Sequence, residues 1–137
     1  MSVWRRTALE TLPEYRQTIA DAENAMAMWI DLCQHFRELY LADELNDDLI
    51  SRFFEYARWC IQTPGEGKFL SDIGTAAVCA FYEHLPETES IRRDLPRRLA
   101  REEFIGLRGA FQYHLSKDEF REFEAEFMDK TSNPTSR

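Results

Sequence analysis

Apolar residues recur at helical spacing along most of the chain, with turn signals between the periodic stretches. Thr11-Leu-Pro-Glu14 has capping-box spacing with proline in the first turn, so a helix is expected from Thr11, with Leu12, Tyr15 and Ile19 on one face. Val3, Trp4 and Leu9 leave room for a short helix before it. Ala22, Met26, Trp29, Ile30, Cys33, Phe36 and Tyr40 predict a long helix over 22–41. An acidic break follows, with Asn46 as N-cap and Asp47 and Asp48 in the next first turn, where negative charge suits the helix dipole. Leu49, Ile50, Phe53, Phe54, Ala57, Cys60 and Ile61 then form one stripe up to the turn Thr63-Pro-Gly-Glu-Gly67.

Beyond that turn the pattern changes. From Ser71 as cap, the stretch Asp72–Leu85 is apolar all round, which predicts a helix at the centre of the fold. Pro86 ends it. A short helix is expected over 87–95, another over 97–115 weakened by Gly106 and Gly109, and a last one opened by the capping box Ser116-Lys-Asp-Glu119. These elements predict an all-α fold, an irregular antiparallel helical bundle or HEAT-like stack of about five to seven helices. A single domain over 1–130 and a flexible polar tail over 131–137 are expected.

Composition supports a folded core. Of 137 residues 44% are apolar, including ten Phe, five Tyr and three Trp. The net charge of −8 counts against nucleic acid and anionic membranes as partners, and favours a basic protein partner if there is one. Cys33, Cys60 and Cys79 sit in apolar helical patterns and read as reduced thiols, which together with the absence of a leader-like or membrane-spanning run predicts a cytoplasmic protein.

Few residues carry a chemical signal. Pro64-Gly-Glu-Gly-Lys68 lacks the first glycine, the hydroxyl after lysine and the preceding strand of a phosphate loop, so it reads as a turn. Asp31, His35 and Glu38 share a helix face at metal-ligand spacing, but that face is expected to be solvated. His84 and His114 fall near helix ends, where a cation suits the dipole. Cys79 and His84 point to different faces, so no nucleophilic pair is expected. The chain is therefore expected to be no enzyme, with no catalytic residues, no metal ligands and no cofactor. Two charged regions remain. Asp43, Glu44, Asp47 and Asp48 form an acidic turn suited to a partner. Arg92, Arg93, Arg97, Arg98, Arg101 and Arg108 form a basic cluster, expected to pair within the molecule with the acidic first half.

Leu12-Pro-Glu14, the run from Ser71 to Pro86 and Asp94-Leu-Pro-Arg-Arg98 together resemble a group of small, uncharacterised, all-helical bacterial proteins. The resemblance implies a HEAT-type stack and, as for some of that group, an immunity protein of a toxin system, and it transfers no catalytic residue. The expected function is a non-enzymatic protein-binding module of the immunity or antitoxin kind. The alternative is a small-ligand or metal-binding regulator with a pocket lined by Trp29, Trp59, Tyr56 and Tyr82.

Overall fold

A computed structural model of the chain describes residues 1–65 and 69–131, which are mainly helical with no strand among them. Glu66 to Lys68 of the turn, and all but the first residue of the expected tail, lie outside the described residues. The chain divides into two compact units, Met1–Phe81 and Tyr82–Arg137.

Among the described residues the first unit holds five α-helices: α1 (Val3–Thr11), α2 (Arg16–Asp21), α3 (Ala25–Leu39), α4 (Asp47–Gln62) and α5 (Ile73–Ala80). The expected start at Thr11 is overturned. Ser2 caps α1 by accepting from the Arg5 N–H, and Thr11 closes it, its hydroxyl donating to the Thr7 carbonyl. Leu12 leaves helical geometry because it precedes a proline, and Pro13–Tyr15 form a single 3-10 turn before α2. Asn24 and Asn46 cap α3 and α4 through their side chains, Asn46 as expected, with Asp47 and Asp48 in the first turn. On α3 the buried face is Met28, Trp29, Leu32, Cys33 and Phe36, while Ile30, expected inside, is exposed.

Helix α5 is shorter than 72–85 and less buried than its sequence suggests. Asp72, not Ser71, caps it, accepting from the Gly74 N–H and the Thr75 hydroxyl. Only Ile73, Ala76, Ala77 and Ala80 are buried within it; Gly74, Thr75, Val78 and Cys79 are half-buried. The approach to α4 is close: a Cβ on Gly74 would lie 3.3 Å from the Cys60 carbonyl oxygen. The core is aromatic. Phe36 meets the rings of Phe53, Phe54 and Phe81 edge-on at 5.2, 5.6 and 4.9 Å. Trp29 stacks on Tyr56 at 5.4 Å, and the Tyr56 hydroxyl donates to the Trp4 carbonyl at 2.7 Å, tying α4 to α1.

The second unit opens with a 3-10 helix, Tyr82–Glu87, where the end of one long helix was expected. Pro86 removes the N–H that would continue an α-helical ladder, so the chain tightens. Then come α6 (Glu89–Arg98), α7 (Arg101–Gly106), α8 (Arg108–Gln112) and α9 (Lys117–Thr131). Helix α6 continues through Pro96 because Asp94 holds Arg97 and Arg98 of the next turn. The helix expected over 97–115 is broken twice, by extended backbone at Leu99 and by Leu107 after Gly106; the second break and the added α1 take the described residues above the expected five to seven helices. The capping box at Ser116 forms as expected: Glu119 N–H donates to the Ser116 hydroxyl, and Ser116 N–H to the Glu119 carboxylate. Phe104 is the hub of the core, with Phe111, Phe123 and Phe127 rings 5.2, 5.3 and 4.3 Å away. No helix of the described residues is long and apolar enough to cross a membrane.

Candidate functional site

The acidic turn joins α3 to α4. Asp43, Glu44, Asp47 and Asp48 are all exposed, and Leu41 before them is 83% exposed. They do not behave alike. Asp48 accepts from Arg52 at 3.0 Å, and the same guanidinium donates to both Glu14 carboxylate oxygens and to the Thr11 carbonyl. The Arg52 hydrogen bonds hold the Glu14 carboxyl at about 2, well below its ordinary value, and Glu14 in turn raises Arg52. Asp48 is thus part of a brace that fastens α4 to the α1–α2 corner. Asp43 and Glu44 enter no ion pair or side-chain hydrogen bond among the described residues. They are the part of the turn open to a partner.

Each arginine of the cluster has a partner within Tyr82–Arg137, where pairing with the acidic first half was expected. Arg92 donates to the Pro86 carbonyl at 2.6 Å, Arg93 pairs with Glu89, and Arg108 donates to Glu124 at 2.6 Å. Arg101 reaches the Met128 sulfur at 3.3 Å, and Arg97 reaches Asp94 at 3.0 Å. Arg98 meets Asp94 at 2.7 Å, with their side chains only 6% and 5% exposed. Helical separations of three and four set the partners of Arg93, Arg97 and Arg98, whereas Arg101 and Arg108 reach across to α9. The contacts brace the segment internally.

Asp31, His35 and Glu38 do not form a metal centre. His35 Nδ1 faces Glu38 at 3.3 Å, its Nε2 faces the Thr18 hydroxyl at 3.1 Å, and its ring stacks on Tyr15 at 4.7 Å. Both ring nitrogens are used, and among the described residues no three metal-binding side chains are placed to hold an ion. Trp29, Tyr56 and Trp59 stack in succession, so the rings fill one another's space; Tyr82 belongs to the second unit. The cavity beside Trp59, bounded also by Trp4, Thr63 and Ile73, is about 20 Å³, room for about one water molecule.

Burial pushes the Cys60 thiol up to about 12, which keeps it protonated. Cys33 is buried, and Cys79 lies in the first unit while His84 lies in the second. His84 has a different companion, one that linear spacing did not reveal. Its ring stacks on His114 with centroids 4.6 Å apart and planes 21° from parallel. His84 Nδ1 faces Glu87 at 2.8 Å, and His114 Nε2 faces Glu83 at 3.2 Å. A carboxylate only accepts, so each of these nitrogens carries the proton. Ring lone pairs lie in the ring plane, and nearly parallel planes keep the two rings from converging on one ion as they stand. The pairing needs the 3-10 turn and α8 to be packed together, which no periodicity encodes. No protein-family model, curated protein or solved structure matches the chain.

Proposed function

We propose that the chain is a non-enzymatic protein-binding module of the immunity or antitoxin kind, which receives a basic protein partner on its acidic turn. The observation that carries this reading is the contrast within the turn. Arg52 engages Asp48, whereas Asp43 and Glu44 stay exposed and, among the described residues, outside any ion pair, beside the exposed Leu41. Carboxylates without internal partners keep their full field for an approaching cationic surface, which speeds encounter and selects the sign of the partner. The net charge of −8 acts in the same direction at longer range. Such a protein acts by covering a partner's working surface, so it needs no reactive group of its own.

The experiment is a charge reversal in the turn that spares the brace. Asp43→Lys/Glu44→Lys and wild-type protein are immobilised side by side and exposed to lysate of the source cells at low salt. The expected outcome is a basic protein held by the wild type, eluted by salt and lost with the double variant. Retention equal in both, or indifferent to salt, overturns the assignment of the turn. Salt dependence is expected because surface charges are screened over about 8–10 Å at physiological ionic strength.

A further inference from the structure

The His84–His114 stack has a feature that dipole capping at helix ends does not account for: it joins two separate elements and gives each ring its own carboxylate. The Glu83 side chain is only 13% exposed and takes its ion-pair contact from His114. We propose that this four-residue cluster is a proton-operated joint that tightens the 3-10 turn onto α8 in mildly acidic medium. With both rings neutral, each carboxylate faces its ring nitrogen with a hydrogen bond but no opposing charge. Mild acid is the range in which imidazoles take up protons. Each proton taken up turns a hydrogen bond into an ion pair, which strengthens most where the carboxylate is withdrawn from water, at Glu83. Two facing ring charges repel, but each has a carboxylate of its own closer than the other ring's charge.

The surrounding charges are engaged elsewhere. On α6, which packs against the turn, Arg92 holds the Pro86 carbonyl and Glu89 holds Arg93. On α7, Glu103 accepts from the Ala100 N–H and Arg101 reaches Met128. Arg108 of α8 holds Glu124 of α9, and Tyr113 presents its ring edge-on to His114 at 4.9 Å. These groups leave the histidines and Glu83 and Glu87 as the members that respond.

The test is amide hydrogen exchange on the full chain at pH 7.5 and 5.5, corrected for the intrinsic effect of pH on exchange. It compares wild type with His114→Gln and Glu83→Gln, both of which keep hydrogen-bonding side chains. In wild type, protection over 82–87 and 108–114 is expected to rise about three- to tenfold on acidification, the scale of one or two part-buried ion pairs. Both variants should lose that rise, and α4 should show none. An equal rise in either variant, a rise shared by α4, or no rise in wild type overturns the proposal. His35→Gln, which removes the other imidazole, should leave the rise intact; its loss would assign the effect to His35 instead.

Discussion

Both units are built around phenylalanine and reach that core by different routes. In Met1–Phe81 two long helices, 15 and 16 residues, lay continuous apolar faces against each other's neighbours, and Trp29, Phe36, Phe53 and Phe54 arrive at helical intervals. Arginines then fasten the corners: Arg5 donates to the Ile19, Ala20 and Ala22 carbonyls at the end of α2, and Arg52 holds Thr11 and Glu14. In Tyr82–Arg137 the segments are short. Helices of six and five residues, α7 and α8, each deliver one buried ring, Phe104 and Phe111. Helices this short have little stability of their own, so packing and ion pairs must hold them. The first unit is shaped by periodicity and pinned by backbone contacts; the second is shaped by breaks and pinned by side-chain charge.

The sharpest test of the shared feature is to remove the hub ring from each unit. Phe36→Ala and Phe104→Ala should each cost about 3–5 kcal/mol, the usual range for a buried phenylalanine truncated to alanine. All three tryptophans, Trp4, Trp29 and Trp59, lie in the first unit, so Phe36→Ala should lower the midpoint followed by tryptophan fluorescence. Phe104→Ala is followed by loss of helical circular dichroism. A cost near 1 kcal/mol for Phe104→Ala would mean that the short helices do not depend on the ring cluster, and the likeness between the units would fail.

The contrast in charge is tested next. Asp94→Ala strands the buried Arg98 and should cost about 3 kcal/mol in chemical denaturation, at the lower end for breaking a buried pair. Asp94→Leu/Arg98→Met removes both charges and should recover most of that loss. If the single and double variants are equally unstable, the pair contributes through packing rather than charge. The first unit's counterpart is Arg5→Met, which removes the donors capping α2 and should cost about 1–2 kcal/mol.

The same contrast explains what was legible from sequence. The all-α class followed from spacing, and so did the caps at Asn46 and Ser116, because a cap is a local pattern read over three residues. Boundaries failed where one local signal outweighed another. Thr11 has capping-box spacing, but Pro13 forces Leu12 out of the helix and Thr11 ends α1 instead. Pro96 reads as a stop, but Asp94 bridging to Arg97 and Arg98 carries α6 past it. Ile30 has the right interval and lies outside because the buried face centres on Met28 and Leu32. At the sites, the exposure of the acidic turn was legible, as charge in a loop usually is. The division of that turn by Arg52, and the stacking of His84 on His114, were not, since both depend on elements brought together over 38 and 30 residues.

The smallest expected effect separates the two kinds of pinning by pH. Glu14 is held at about 2 when folded, against an ordinary 4.5. A carboxyl with a depressed folded value contributes stability that is complete above 4.5 and is lost as pH falls from there to about 2. The Glu14 side chain is 45% exposed, so solvent screening keeps this to the scale of a surface ion pair, about 0.2–1 kcal/mol. Melting temperature measured from pH 6 to 2 should therefore fall more steeply in wild type than in Glu14→Gln, the two curves meeting near pH 2. The comparison is made on tryptophan fluorescence, which reports the first unit. Parallel curves would show that Arg52 fastens α4 through the Thr11 carbonyl and Asp48 alone, and the corner would then be pinned by backbone, as it is at Arg5.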